Sequence, residues 1–428
     1  MEDPRVVEFI GIGVGLAIIG LIAWLGPKWK LRALQWKWIQ RLRGTPRSDL
    51  RAILCRDFPA GRRLCADAEA SRSAFLRACI DLEAGELESA RTFAARVAND
   101  EPVRPVLLSL VERRASDPDE AWLASFEAAW TRSGRRDVRS SALLTKDIDT
   151  SIDPPNKMEA LPETDRALCR LMMWSPTYWR RTQPPEALEW ARHRGPQLTD
   201  GAEVLIAANT VPDSLPVAER LFQLRPDEFW IRLHRWALRR SSGPLGPEDR
   251  TELAAMADAR MCDAFLGGIA LSRLESAARA GGSRTPLMAA AGTAIMPLAY
   301  GAVALLERFR ASPRPDQTAA ADLYVRLARR MLSDRLVMTY ALGFRVIELA
   351  GTIPETDLAV EIQARRPEFE FATSGPDNLA NDPGRWPIPS LIEDVIHAIF
   401  RDERAFRARF RAREESAHPA SQLTSDRP

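Results

Sequence analysis

The sequence predicts an all-α protein in which one N-terminal transmembrane helix precedes a helical region that contains most of the 428 residues. Three observations lead to this prediction. The chain is rich in alanine, leucine, arginine and glutamate, which favour helices over strands. Apolar residues recur at three- and four-residue spacing, and proline followed by acidic residues repeatedly marks a helix start. No stretch alternates convincingly between apolar and polar residues, so we expect no strand.

The first predicted element is a transmembrane helix at Val6–Leu25. Twenty residues at 1.5 Å each span about 30 Å, the thickness of a hydrocarbon core. The chain starts with acidic residues, and the apolar run ends in Gly26-Pro27 without the small residues of a cleavage site. We therefore predict a retained anchor over residues 1–27, with a short external stub.

Residues 28–48 are predicted to form a basic, tryptophan-rich juxtamembrane helix. Lysine and arginine cluster directly after the span, whereas only Arg5 precedes it, so the positive-inside rule places the bulk of the chain in the cytoplasm, at the inner (plasma) membrane. Tryptophans interleaved with cations favour contact with an anionic leaflet, although Trp36 and Trp38 could instead pack into the following domain. The predicted membrane-interface residues are Trp24, Trp29, Trp36, Trp38, Lys28, Lys30, Arg32 and Lys37.

Gly11 and Gly15 form a GxxxG pair inside the predicted span. Such pairs allow two transmembrane helices to approach closely, so these residues are candidates for helix–helix association. A homo-oligomer joined through this helix is therefore one possible assembly.

Beyond residue 48 we expect a succession of helices. Pro-acid helix starts occur at Pro118, Pro185, Pro226 and Pro247, each followed by acids that complement the helix dipole. Apolar periodicity predicts helices at Ser71–Ala84, Leu87–Ala98, Asp119–Thr131 and Asp165–Trp174.

Part of this region, Ala74–Pro102, resembles a tetratricopeptide repeat. The residues at its small, turn and terminating positions are Ala78, Gly85, Ala90 and Pro102. Ala74 and Asp81 depart from the pattern, because large aromatic residues are usual there. The resemblance implies a solenoid-like stack of antiparallel helix pairs with a concave face that binds proteins.

Composition divides the remaining chain. We predict a helical repeat-like region at 49–132, a linker at 133–164 that is rich in Ser, Pro and Asp, a helical domain at 165–415, and a disordered polar tail at 416–428.

Three segments allow a second interpretation. Thr285–Leu306 carries no charge and could span a membrane, but its alanines and two prolines favour a core helix. The aromatic stripe of Phe229–Arg240 is expected to lie in the core with its arginines solvated, the alternative being a membrane-surface contact. The arginine-rich segment Phe400–Arg413 is expected to be a solvated terminal helix, the alternative being contact with phosphates or anionic lipid.

No feature nominates a catalytic residue, a cofactor or a metal site. The net charge of +2 gives no general attraction to nucleic acid. Cys55, Cys65, Cys79, Cys169 and Cys262 show no metal or disulfide spacing, so we interpret them as small buried residues in a reducing compartment. The arginine excess over five lysines is typical of a GC-rich bacterial genome.

The sequence therefore favours a membrane-anchored helical scaffold or adaptor that binds a partner protein at the cytoplasmic face. The alternatives are a membrane-active or pore-associated protein that engages lipid, and an anchored enzyme whose active site is assembled from distant residues.

Overall fold

A computed structural model describes residues 56–65, 70–116, 141, 143–144, 156–174, 185–239, 245–259, 265–283, 299–353, 357–374 and 386–417. These ranges contain helices and their connections, without a strand. The all-α class is thus confirmed for the described part of the chain. The α-helices, numbered in chain order, are α1 (Phe58–Cys65), α2 (Ala70–Glu83), α3 (Leu87–Arg96), α4 (Val103–Ser116), α5 (Glu163–Trp174), α6 (Pro185–Arg194), α7 (Gly201–Thr210), α8 (Leu215–Leu224), α9 (Phe229–Arg239), α10 (Pro247–Ala257), α11 (Phe265–Ala280), α12 (Ala299–Ala311), α13 (Arg314–Leu332), α14 (Val337–Ala350), α15 (Ala359–Ser374) and α16 (Pro389–Ala417).

Proline begins two of the helices whose starts the sequence predicts. Helix α6 starts at Pro185 and α10 at Pro247, while α9 starts directly after the turn at 226–228. Proline is suited to the first turn because its missing N–H would have no partner there in any case. The start predicted at Pro118 and the helix predicted at Asp119–Thr131 lie outside the described residues.

Helices α2 and α3 form an antiparallel hairpin within the segment that resembles a tetratricopeptide repeat. Gly85 makes the turn with a φ of 79°, a left-handed conformation that favours glycine. Ala78 and Ala90 are fully buried, and their small side chains allow the two helices to cross closely. The hairpin predicted from the residue pattern is therefore present.

The apolar side chains form two cores. The first core contains the inner faces of α2, α3 and α4, together with Trp386, Ile388 and Leu391 from the far end of the chain. The second core contains the inner faces of α5 to α14, with additions from α15 and α16. Helix α16 thus contributes to both cores and connects them.

The described residues of the predicted linker pack against these cores. Leu143 and Leu144 are buried in the first core, and the Ser141 hydroxyl donates a hydrogen bond to Glu101 at 2.8 Å. The backbone N–H of Lys157 donates to the carbonyl of Gly281 at 3.0 Å, next to the second core. The boundaries of the linker and of the flanking domains stay predictions.

Helix α16 bends at Asp402, whose backbone is extended, and the chain then starts a new helical turn. The Asp402 carboxylate caps that turn by accepting a hydrogen bond from the Ala405 N–H at 2.8 Å. Glu403 and Arg407 are buried and paired at 2.9 Å, and Phe406 is buried in the first core. The expectation of a solvated helix is wrong for these residues, because the bend turns them inward.

Residues 299–306 are the described part of Thr285–Leu306, and they begin α12. Ala302, Leu305 and Leu306 belong to the second core, which confirms a core helix for this part. Among the helices that the structure describes, none combines the length and the apolar character needed to cross a bilayer. The predicted span Val6–Leu25, the juxtamembrane helix at 28–48 and residues 418–428 of the predicted tail lie outside the described residues.

Candidate functional site

An open groove of about 380 Å³ lies between α5 and α6. Helix α5 contributes Glu163, Arg166 and Arg170 to its wall, and α6 contributes Glu186, Glu189 and His193. Ala167 of α5, together with Trp190 and Arg194 of α6, completes the lining.

The sequence explains why these side chains line a groove. On α6 the buried residues are Ala187, Trp190 and Ala191. Their three- and four-residue spacing places them on one face of the helix, which packs against the second core. On α5, Ala167, Leu168 and Leu171 do the same. The charged residues of both helices occupy the turns beside these stripes, so they border the seam where the helices meet.

The ion pairs at the rim are long and exposed. Glu159 lies 3.8 Å from both Arg166 and Arg170, and its side chain is 74% exposed. Arg194 of α6 pairs with Glu163 of α5 at 3.5 Å. Exposed pairs of this kind contribute about 0–1 kcal/mol, so a ligand could replace them at little cost.

Two donors at the groove have no acceptor among the described residues: the indole Nε1–H of Trp190 and the Nε–H of Arg166. Trp190 is only 5% exposed, so water reaches its N–H poorly. Buried donors are normally paired, because each unmade hydrogen bond costs about 1–3 kcal/mol. Both nitrogens are themselves buried, so neither is presented to the open groove.

Elsewhere in the second core, the buried carboxylate of Asp249 has hydrogen-bond partners within the protein. Asp249 accepts hydrogen bonds from Arg308 at 3.0 Å and from the Trp236 indole at 3.1 Å. Burial alone would raise the pKa of Asp249, but the hydrogen bonds from Arg308 and from the Gly246 N–H outweigh it and lower that pKa. This network connects α9, α10 and α12 inside the core and serves stability.

A second closed cluster surrounds Asp334, at the turn between α13 and α14. Its carboxylate accepts a hydrogen bond from the Trp230 indole at 2.7 Å, and burial raises its pKa. Arg404 of α16 donates to the carbonyls of Leu332 at 2.8 Å and of Asp334 at 3.0 Å. This cluster holds α16 against the end of α13.

The aromatic residues of Phe229–Arg240 form part of the core, as predicted. Phe229, Trp230, Leu233 and Trp236 are at most 2% exposed. Arg235 and Arg239 of the same helix pair with Glu219 of α8 at 2.9 and 2.5 Å. The aromatic side chains of this helix are therefore not available to a membrane surface.

Cys65, Cys79 and Cys169 are buried, which confirms their interpretation as small core residues. Burial raises the pKa of the Cys79 thiol, which favours the neutral form. Cys55 and Cys262 lie outside the described residues. Within the described ranges no group of three His, Cys, Asp or Glu side chains could hold a metal ion.

The site residues predicted from the sequence all precede residue 56, so the structure neither places them nor brings them together. They are Trp24, Trp29, Trp36, Trp38, Lys28, Lys30, Arg32, Lys37, Gly11 and Gly15. Sequence reasoning missed the groove between α5 and α6. Two patterns in the sequence could have indicated it. Arg166 and Arg170 are four residues apart, and Glu186, Glu189 and Trp190 follow three- and four-residue spacing, so each set lies on one face of its helix.

Comparison of this chain with protein-family models, with curated proteins and with solved structures found no match.

Proposed function

We propose that this chain is a helical scaffold or adaptor, anchored in the inner membrane by Val6–Leu25, that binds a partner protein through the groove between α5 and α6. The observation that carries the proposal is the groove itself, whose lining combines Trp190 with charged side chains from both helices. Binding sites typically combine apolar surface with a few convergent polar groups. The predicted anchor supports the membrane location, and the tetratricopeptide resemblance supports protein binding.

The partner is tested with the tagged full-length chain, extracted in a gentle detergent, sized by chromatography and analysed by mass spectrometry. We expect a stable, stoichiometric protein partner. The matched variants are Arg170→Glu, on the wall of the groove, and Arg192→Glu, which reverses an exposed charge of α6 away from it. The partner should be lost from the first variant and kept by the second. A chain that elutes without any partner contradicts the scaffold proposal and favours lipid action.

The anchor is tested separately by membrane fractionation. Replacement of Ile18 and Ile19 by aspartate should move the full-length chain from the carbonate-resistant membrane pellet to the supernatant, because each charge at the centre of a span costs about 2.5–3.5 kcal/mol. A wild-type chain that already leaves the membrane in carbonate contradicts the anchor.

A further inference from the structure

The N-terminal hairpin and α16 meet at two largely buried carboxylates that share one cation. The guanidinium of Arg56, two residues before α1, lies 3.2 Å from Glu83 at the end of α2 and 2.7 Å from Glu393 in α16. The side chains of Glu83 and Glu393 are 2% and 20% exposed. Glu83 also accepts a hydrogen bond from the Ser390 N–H in the first turn of α16, at 3.2 Å. One positive charge thus faces two carboxylates, and one negative charge is left over when both are ionised.

A third carboxylate acts on this contact from the second core. Helix α11 packs against α16, and its Glu275 pairs with Arg279, one turn further along α11, at 2.6 Å. Arg279 is 71% exposed, so solvent screens much of its charge. Burial has the largest effect on the pKa of Glu393 and raises it. Arg56 lowers that pKa, the negative charges of Glu83 and Glu275 raise it, and the net shift is upward.

Further charged groups near Glu393 lie on α16 itself and on α4. Asp394 follows Glu393 directly and pairs with Arg114 of α4 at 3.3 Å. His397 is exposed and lies one helical turn further along α16. A protonated His397 would favour the ionised form of Glu393, because opposite charges attract, so this histidine opposes uptake of a proton by the carboxylate.

We propose that Arg56, Glu83 and Glu393 form a clasp between α2 and α16 that acid strengthens. In mild acid the Glu393 carboxylate takes up one proton from the solvent and becomes a neutral carboxyl group. Its carbonyl oxygen can still accept the hydrogen bond from Arg56. The positive charge of Arg56 then faces the single negative charge of Glu83, and the repulsion between Glu393 and Glu275 is removed.

The direction of the effect follows from the linkage between proton binding and opening of the clasp. When the clasp opens, Glu393 reaches solvent and its pKa returns to the ordinary value of 4.5. The closed clasp binds the proton more readily, so the added stability is fully present below pH 4.5 and is lost as the pH rises through the higher pKa of the closed form. The first core and α16 therefore separate more readily at neutral pH than in mild acid.

Hydrogen exchange of the full-length protein in detergent micelles, followed by mass spectrometry between pH 8 and pH 5, measures this opening. Exchange rates are divided by the intrinsic rates at each pH, and residues 201–224 of the second core serve as the reference. Protection of residues 70–83 and 389–401 should rise about two- to fivefold relative to the reference as the pH falls. Glu393→Gln mimics the neutral carboxyl group, so its protection should already be high at pH 8 and should lack this rise.

Two further substitutions should move the midpoint of the pH response in opposite directions. Glu275→Gln removes a negative charge that acts on Glu393, so the midpoint should fall. Arg56→Gln removes the positive charge, so the midpoint should rise even if the clasp is weaker at every pH. A merely structural role of these residues does not predict such opposite shifts. Glu88→Gln, at a side chain that is 86% exposed, should reproduce the wild-type response.

Three results overturn the proposal. The first is a wild-type protein whose protection in these segments does not rise in acid. The second is a Glu393→Gln variant that is less protected than the wild type across the whole pH range. The third is a response that His397→Gln abolishes, since the proton would then bind to the histidine.

Discussion

At the scale of single residues, Asp81 illustrates how this chain accommodates a polar group in a core position. Its carboxylate is fully buried and accepts hydrogen bonds from Arg62 at 2.8 Å, Arg77 at 3.1 Å and Ser89 at 2.6 Å. Three helices thereby meet at one side chain. The two arginines offset the cost of burying the carboxylate. A buried carboxylate without such partners would strongly destabilise the fold. A residue that departs from the tetratricopeptide pattern thus connects α1, α2 and α3.

Removal of this carboxylate should destabilise the hairpin. We expect Asp81→Ala to lower the free energy of unfolding by about 2–4 kcal/mol, because two arginines and a hydroxyl lose their acceptor in a largely buried site. Thermal denaturation of the full-length protein measures the change. Glu88→Ala is the matched control: Glu88 is 86% exposed and pairs with Arg91, so its loss should stay within about 0.5 kcal/mol. Equal effects of the two substitutions would contradict the role of Asp81.

His234 makes stability depend on pH. It is buried in α9, and burial lowers its pKa from 6.5 to about 4. Since the unfolded chain binds the proton more readily, the neutral histidine contributes its full stability above pH 6.5 and loses it as the pH falls towards 4.

Between pH 6.5 and pH 5 this loss should amount to about 1.5 kcal/mol. His234→Leu cannot titrate, so its stability should depend less steeply on pH across that interval. Denaturant unfolding of both proteins at several pH values measures how steeply the free energy of unfolding changes with pH. The comparison uses these two slopes, so a difference in absolute stability between the variant and the wild type does not affect it. Parallel slopes would show that another group controls the acid response.

At the scale of helices, two helix pairs in the second core pack with their backbones in close contact. A Cβ atom added at Gly301 of α12 would lie 2.7 Å from the carbonyl carbon of Leu233 in α9. At Gly343 of α14 it would lie 2.8 Å from the backbone nitrogen of Leu332 in α13. Backbone atoms cannot move aside as a flexible side chain can, so both helix pairs require glycine at these points.

We therefore expect Gly301→Ala to destabilise the protein by about 1–3 kcal/mol through overpacking. The control is Gly268→Ala in α11, where an added Cβ would meet nothing within 4 Å. That substitution should be neutral or stabilise by up to about 1 kcal/mol, because alanine favours the helix over glycine. The melting temperature should fall for Gly301→Ala and should stay unchanged or rise for Gly268→Ala. A Gly301→Ala variant as stable as the wild type would mean that α9 and α12 can separate.

Local patterns predicted the helices better than their arrangement. Periodicity and Pro-acid starts identified α2, α3, α5, α6 and α10, because these features are set within a few residues. The groove depends on which turns of α5 and α6 face each other, and that follows from tertiary contacts. The sequence did not predict the inward bend of α16 either. An arginine such as Arg407 is expected in solvent unless an acidic partner is buried beside it, and Glu403 takes that place only in the folded structure. The predicted membrane anchor lies outside the described residues and stays a prediction.

At the scale of the whole molecule, residues from the two ends of the described chain complete one core. Trp386 is 1% exposed, and its ring centroid lies 5.9 Å from that of Phe75. Arg56 and Glu393 form an ion pair at 2.7 Å across 337 residues of sequence. Glu83 accepts a hydrogen bond from the Ser390 N–H at 3.2 Å. The N-terminal hairpin therefore depends on residues near the C-terminus for its burial.

Loss of Trp386 should loosen that hairpin selectively. We expect Trp386→Ala to cost about 3–5 kcal/mol, the usual effect of removing a large buried aromatic side chain. Hydrogen exchange followed by mass spectrometry should show faster exchange in residues 70–96 and unchanged exchange in residues 201–239. Val360→Ala, at a side chain that is 78% exposed, should leave both regions unchanged. Equal acceleration in both regions would indicate that the two cores unfold as one unit.

Because of the shared core, the N-terminal hairpin is synthesised long before some of the residues that bury it. The hairpin of α2 and α3 leaves the ribosome well before Trp386, Ile388 and Leu391, which pack in the same core. At a synthesis rate of about 5–20 residues per second, these residues are added on the order of tens of seconds after the hairpin. The part of the hairpin that these residues bury therefore stays exposed during most of translation. We expect chaperones that recognise exposed apolar segments to bind the nascent chain at this surface.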